Sequence, residues 1–543
     1  MKRDLIIKAA LFCTLAIVAI PDRLAAQGQN DNQGQSQNNG SGHHSQYRLI
    51  DLGTLGGPQS YIPEGAGITD ARLLNNKGSI IGLADTSNPD PFPDFCWVDD
   101  CFAAHAFVGG SKGKKDLGVL IGGASSDTSW IADNGVISGD SQNGKIDPLI
   151  PGFPEIHAVL WRDGLIDLGT LEGGNESISM SVNSDAKVVG FALNGVADVN
   201  SMVGLGYQAR AFLWQDGAMQ DLGTLGSGTD AIGALINERG QVVGWSYTSS
   251  DPSDICAGVY GFALSTGSFL WEQGKGMTDL GGLGGTCTVA FDLNQRGQVV
   301  GQSWLAGDLT GHAFRWDSEN GLVDLGTVGG GDFSSARAIN NKGQAVGGSY
   351  LSGNVQIHAA LWTGNTATDL GALDSDQCAY AFSINAVGQV VGASGTTNCE
   401  STRAFLWEPG SSMVDLNSLV APNSNFHLAG AAEINDRGEI AGVGVLPNGD
   451  QHAVLLVPCA SDDQSGCAKG EEITAGGASL STVHAPQRSH GISSSNSVRR
   501  MFRLRTGLAP HLQRPWCHIQ YRCTASLRAI ATLAIFRPRR IAR

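Results

Sequence analysis

No stretch of this chain holds the roughly 20 consecutive apolar residues that a membrane-crossing helix needs. The two longest candidates, residues 9–20 and 527–536, are too short, and Arg528 interrupts the second. No transmembrane span is expected in the mature chain. C-x-x-C is absent, which removes zinc-ribbon and thioredoxin-like chemistry. Neither H-E-x-x-H nor a helix-opening G-x-G-x-x-G occurs, so zincin and dinucleotide sites lack their signatures. Charge is scarce as well, at 16% of 543 residues. It is also divided unevenly. Residues 27–472 hold 19 Lys+Arg against 49 Asp+Glu, a balance of 19 − 49 = −30, whereas residues 473–543 hold 12 Arg with no Lys and no acid. An acidic body of this kind disfavours non-specific nucleic-acid binding, and no nucleic-acid partner is expected.

Glycine is abundant, at 75 of 543 residues, well above the usual share of roughly 7%. Without a collagen triplet period, that much glycine points to many tight turns between short strands. The 41% of hydrophobic residues can build a core for them. Residues 1–26 read as a signal peptide, with Lys2, Arg3 and Lys8 before the apolar stretch and Leu24-Ala25-Ala26 before the cut. Residues 27–46 contain too little apolar surface to pack and read as a flexible Gln/Asn/Gly/Ser linker. Residues 459–543 read as an irregular, Arg-rich tail. A secreted or periplasmic, monomeric protein is expected.

Three phrases recur through the body. DLG plus small residues stands at 51, 116, 167, 221, 279, 324 and 369, and as DLN at 415, so successive copies lie 45 to 65 residues apart. An aromatic strand of the HAF or RAFLW kind stands at 105, 157, 210, 268, 312, 358, 403 and 452. The phrase I-N-x-x-G-x-x-V-G falls at Asn75, Asp133, Asn183, Asn237, Asn294, Asn340, Asn385 and Asn435. In this last phrase Asn caps a turn and Gly takes its φ > 0 position, so apolar residues on either side become two paired strands. With the aromatic strand and the strand ending in DLG, each unit has four strands, the content of a propeller blade. YRLIDLG at 47–53 is a fourth strand without its first three, and HAVLLVP at 452–458 is a third strand without its fourth. Joined, they complete one blade and leave no open edge. The expectation is an all-β, eight-bladed propeller over residues 47–458, with insertions at 87–104 and 194–208.

The three phrases in fixed order, with His105-Ala106-Phe107 and His312-Ala313-Phe314, resemble the HAF-repeat family of probable extracellular repeat proteins. The resemblance covers residues 47–458 and implies export and a repeat architecture, with no assigned activity. The chain departs from the pattern at Arg210, Ser268 and Arg403 in place of His, and at Asn417 in place of Gly.

Candidate chemistry is thin. A ring of His ligands is disfavoured because Arg and Ser replace His in three units, so a cross-strand pair between His or Arg and the DLG Asp is expected. Gly109–Gly113 spells G-x-S-x-G, but in a hairpin turn rather than at a strand-to-helix elbow, and GDSQNGK at 139–145 lacks the Ser or Thr of a P-loop. No catalytic, cofactor or metal residues are assigned; calcium in an Asp- or Asn-rich loop is the one ion left open. The Trp residues at 161, 214, 271, 316, 362 and 407 recur in register and read as inter-blade packing. Trp245, Trp304 and Tyr350 break the repeat just after second strands and are the candidate ligand-binding residues. Ten cysteines remain after residue 26. Cys96/Cys101, Cys378/Cys399, Cys459/Cys467 and Cys517/Cys523 are close in sequence, leaving Cys256 and Cys287; all but Cys517/Cys523 are carried forward as disulfide candidates, with pairing left undetermined. A scaffold binding a glycan or protein ligand through loops on one face is the expected function. An extracellular polysaccharide hydrolase or lyase, and a purely structural matrix protein, are the alternatives.

Overall fold

The computed structural model describes residues 45–62, 72–396, 399, 401–422 and 424–459. The expected signal peptide, most of the linker, and the tail beyond Cys459 with Cys467, Cys517 and Cys523 lie outside them. Within the described residues the chain is a β-propeller of antiparallel, four-stranded units. Unit 1 spans 56–116, unit 2 126–167, unit 3 177–221, unit 4 231–279, unit 5 284–326, unit 6 330–371 and unit 7 378–415. Unit 8 joins His427–Ile434, Ile440–Val445 and Gln451–Pro458 to the N-terminal strand Tyr47–Asp51, with Tyr47 opposite Pro458 and Asp51 opposite Val454. The two ends of the chain therefore share one sheet, as expected.

The repeated asparagine has two tasks. Asn340 Oδ1 accepts the backbone N–H of Lys342 at 3.0 Å and of Gln344 at 3.1 Å, which closes the hairpin turn of unit 6. Its Nδ2 donates to the carbonyl oxygen of Asn385 in unit 7 at 3.1 Å. The same donation runs from Asn75 to Ala132, Asn183 to Asn237, Asn237 to Asn294, Asn294 to Asn340 and Asn385 to Asn435. Asn435 then donates to Asn75 at 3.0 Å, which closes the ladder on the first unit. Only a side chain carrying an acceptor and a donor at one short reach can do both.

One rung departs from the sequence reading. Asp133 does not hold the asparagine position of unit 2. Ala132 does, because its N–H bonds Val136 O as Asn75 N–H bonds Ser79 O and Asn183 N–H bonds Lys187 O. Ala132 offers no side-chain donor, so the ladder is interrupted between units 2 and 3. The turn glycine also varies. Gly343 has φ 81°, but in unit 3 the same place is taken by Ala186 at φ 63°, a conformation costly for a residue with a Cβ.

The DLG aspartate bonds back and across. Asp324 accepts the N–H of Gly326 at 2.7 Å and meets His312 Nδ1 at 2.9 Å. Equivalent pairs join His105–Asp116, His157–Asp167, Arg210–Asp221, His358–Asp369, Arg403–Asp415 and His452–Asp51. These are the expected cross-strand pairs.

Apolar residues pack between successive units. Phe107, Phe212, Phe269, Phe314 and Phe405 of the third strands are fully buried, each stabilising by about 2–3 kcal/mol through removal from water. The second-strand glycine makes room for that ring: a Cβ on Gly301 would lie 2.7 Å from Phe314 and 2.1 Å from Val289 O. The recurrent tryptophans pack as expected, Trp161, Trp214, Trp271, Trp316 and Trp362 being buried.

Units 1 to 4 carry long insertions between second and third strands, closed by matching backbone bonds from Asp90 to Cys101, Asp147 to Phe153, Asp198 to Gly206 and Ser253 to Ala263. Neighbouring insertions touch. Phe95 meets Phe153 edge-on at 5.6 Å, Tyr207 Oη donates to Leu149 O at 3.3 Å, and Tyr247 Oη donates to Asn200 O at 2.8 Å. The fourth contains the short helix α1 (Asp254–Val259), N-capped by Ser253. Disulfides join Cys96–Cys101, Cys256–Cys287 and Cys378–Cys399.

Candidate functional site

The residues just before the asparagine position in units 1, 2 and 4 to 8 line a central channel. In units 2 to 8 the first strand carries a β-bulge a few residues before the asparagine position: Ala336 faces Gly347 and Ala338 faces Val346, leaving Arg337 unopposed. The same irregularity recurs at Ser129, Met180, Ala234, Phe291, Phe382 and Ala432. A bulge re-aims its side chain, and here the bulged and following positions of several units line the channel.

A cavity of about 310 Å³ opens on the asparagine-turn side. Arg72, Trp130, Asp292, Arg337, Phe382 and Glu433 give it its chemical character. Arg72 bonds Asp133 at 2.6 Å. Burial raises the Asp133 carboxyl, but the Asn76 N–H and the Arg72 guanidinium outweigh it and hold the group below its ordinary range. Asp292 accepts the N–H of Ile339 at 2.7 Å across the unit boundary, and Glu433 accepts those of Leu73 and Leu74. Both carboxylates thus act as acceptors that bind one unit to the next. The Arg337 guanidinium lies over the Phe291 ring, 4.7 Å from its centroid.

The insertion of unit 4 packs against the first strand of unit 5. Cys256–Cys287 ties α1 to the first strand of unit 5, and Ser253 Oγ meets Thr286 Oγ1 at 2.7 Å. Beyond the helix, Tyr260 hydrogen-bonds Gln302 of unit 5, stacks on Phe262, and comes within electrostatic reach of Arg337 and Tyr380 in units 6 and 7. The cavity is a well open on the asparagine-turn side.

Of the three ligand candidates read from sequence, Trp245 and Trp304 are buried. Trp245 is 1% exposed, packs on Phe262 at 5.9 Å and donates Nε1–H to Ala290 O at 2.8 Å. Trp304 is equally buried and meets Phe333 edge-on at 5.4 Å, while Tyr350 is half-buried against the same ring. Trp245 and Trp304 are thus part of the packing between units, and Tyr350 is half-buried beside them. The residues missed, Arg72, Trp130, Arg337 and Phe382, had a signal in the sequence. They stand two or three places before the asparagine position, where the units disagree most in residue type.

Asp85, Asp230 and Glu176, all raised above the ordinary carboxyl range, do not line the well. Burial, and then the charge of Asp100, pushes Asp85 up to about 9. Burial pushes Asp230 up to about 6 against the N–H groups of Met202 and Ala209. Glu176 is raised by burial and by Asp147. Among the described residues, no group of three or more His, Cys, Asp or Glu is placed to hold a metal ion, and no helix is long and apolar enough to cross a membrane.

No protein-family model matches the chain, and no curated protein matches it. Solved structures do. A prolyl endopeptidase is similar at 8% identity and TM-score 0.41, over 72% of this chain and 55% of that one. The acylaminoacyl peptidase of Pyrococcus horikoshii is similar at 12% identity and TM-score 0.37, over 70% and 57%. A gluconolactonase of Xanthomonas campestris is similar at 11% identity and TM-score 0.22, over 56% and 79%. This chain spans little more than half the length of either peptidase, and the activities belong to those proteins.

Proposed function

We infer that the protein is an exported, eight-bladed binding propeller of the HAF-repeat kind, whose central well takes a short glycan segment. The observation behind this reading is the gathering of repeat-breaking side chains in one place. Most positions of a unit serve the scaffold, but Arg72, Trp130, Arg337 and Phe382 depart from their counterparts and line the same cavity. Aromatic faces suit the apolar faces of sugars, guanidinium forks suit hydroxyl and carboxylate oxygens, and carboxylates suit hydroxyl hydrogens. A volume of about 310 Å³ lies at the small end of ordinary ligand pockets. The disulfides among the described residues, Cys96–Cys101, Cys256–Cys287 and Cys378–Cys399, fit an oxidising compartment.

A hydrolase or lyase would use a protonated carboxyl facing the well. Asp85, Asp230 and Glu176 lie outside the well, and Arg72 holds the Asp133 carboxyl below its ordinary range, which supports binding over cleavage. Titration of the full chain with neutral and acidic oligosaccharides tests the reading. Saturable binding of one class, weakened at least tenfold in Trp130→Ala, is expected. Silence across the series from folded protein, or unchanged affinity in Trp130→Ala, overturns it. New reducing ends in the mixture would establish the enzyme instead.

A further inference from the structure

At five boundaries between units an acceptor stands over the turn glycine of the next unit. An oxygen of Glu439, Gln241, Gln298, Gln344 or Gln389 lies 2.7–3.7 Å from the place a Cβ would take on Gly78, Gly297, Gly343, Gly388 or Gly438. At two of these boundaries a guanidinium shares the place and is bonded by that oxygen. Arg437 Nη2 donates to Glu439 Oε2 and Arg239 Nη2 to Gln241 Oε1, each at 2.5 Å.

The boundary between units 3 and 4 reverses this pattern. Lys187 takes the place of the glutamine, and its Nζ stands 3.6 Å from the Cβ position of Gly240. An ammonium, which can only donate, has replaced an acceptor. Lys187 is half-buried and belongs to no ion pair or side-chain hydrogen bond among the described residues. Asp185, in the place that Arg239 and Arg437 hold in their own turns, is exposed and does not pair with it.

The ammonium lines a pocket of about 160 Å³, together with Arg239, Lys275, Glu272, Gln241 and Trp271. Three cations meet one acid there, 3 − 1 = +2, in a body whose own balance is −30. Glu272 is already engaged: Oε2 accepts from Lys275 Nζ at 2.7 Å and Oε1 from Gln241 Nε2 at 3.0 Å. Arg239 donates to neutral oxygens, those of Gln241 and, at 3.4 Å, of the Arg296 carbonyl. Lys187 and Arg239 therefore line one pocket without a bonded carboxylate, and their mutual repulsion falls when an anion enters. The volume lies below the roughly 300–1,000 Å³ of pockets that enclose whole organic ligands, so it suits one compact group.

We propose that this pocket is an anion site, which takes one phosphate or sulfate group between Lys187, Arg239 and Lys275. Ammonium and guanidinium donors give such a group charge-assisted hydrogen bonds. Glu238, next to Arg239 in the same turn, lines the well. The two sites thus share a turn but use different side chains, and the anion site does not depend on a glycan in the well.

Equilibrium dialysis of the full chain against labelled inorganic phosphate, with ionic strength held constant by chloride, tests this. Saturable binding is expected, with inorganic sulfate competing. Affinity is expected to fall at least tenfold in Lys187→Met and to persist in Lys187→Arg, which keeps the charge. Lys275→Met is the second variant should the first not fold. Lys342→Met, which removes an exposed lysine from the asparagine turn of unit 6, and Trp130→Ala, which alters the well, are expected to leave phosphate binding unchanged. A sugar monophosphate that binds more tightly than the inorganic ion identifies a carrier molecule as the source of the group, and equal affinity identifies the free ion. Binding that does not saturate, or affinity equal to wild type in folded Lys187→Met or Lys275→Met, overturns the anion site.

Discussion

Replacing Asn340 by Asp changes one atom's role and leaves the shape alone. The Oδ1 that caps the turn survives, but the Nδ2 that donates to Asn385 O at 3.1 Å and to Gln344 Oε1 at 3.0 Å becomes an acceptor facing two acceptors. Asn340 is only 7% exposed, so water cannot readily take the vacated places. Two lost hydrogen bonds at about 0.5–1.5 kcal/mol each, plus an orphaned buried carbonyl, make a loss of about 3 kcal/mol. For a body of about 400 ordered residues, with an unfolding entropy near 2.1 cal/mol/K per residue, that lowers the melting temperature by about 3–4 °C. Calorimetry at neutral pH measures this. Asn341→Asp is the control, since its Oδ1 already acts as an acceptor, for Gln295 N–H at 2.9 Å on the exposed rim. Acidification protonates the new carboxyl, restores a donor and narrows the gap to wild type. Equal melting of Asn340→Asp and wild type at neutral pH would refute the two-task account of the asparagine.

Ala186→Gly, at φ 63° in the turn of unit 3, is expected to raise stability by about 0.5–1 kcal/mol, read as a higher denaturant midpoint. Melting temperature followed from about pH 4 to about pH 9 is expected to fall. Asp230 is raised from 3.8 to about 6 in the fold, so its contribution is fully present below its unfolded value and lost as pH rises through about 6, and Asp85 acts likewise through about 9. The Asp230 step corresponds to about 3 kcal/mol, and Asp230→Asn flattens it. Removing Cys256–Cys287 by the double Ser replacement, which opens a 31-residue loop, is expected to cost about 3–4 kcal/mol and to raise hydrogen exchange in residues 253–263.

The architecture was legible in the sequence because the propeller repeats its own constraints. A turn that needs an asparagine cap and a left-handed residue, a strand that needs an aromatic to fill the inter-unit gap, and an aspartate that pairs with His312 or Arg403 must be written out again in each unit. Closure through 47–53 and 452–458 followed from two incomplete units that complete each other. The turn and the His or Arg pair with aspartate are local requirements, met within about twelve residues of chain.

The site was not legible in the same way. Trp245 and Trp304 looked functional because they break the pattern, yet they are buried: Trp245 packs on Phe262 of the unit 4 insertion and Trp304 on Phe333 of the next unit, contacts between segments that sequence spacing does not specify. Arg72, Trp130, Arg337 and Phe382 share one cavity only because ring closure brings the first strands of separate units around a common axis. The missing rung at Ala132 had a similar fate, since Asp133 beside it imitates the phrase by composition and only the backbone hydrogen bond of the turn assigns the register. Sequence by itself determined the repeating unit, because each of its turns and pairs is set by neighbouring residues. Tertiary structure decided which irregularities became core, which became well, and which left one seam bonded differently from the rest, because those outcomes depend on which distant units come to share a boundary.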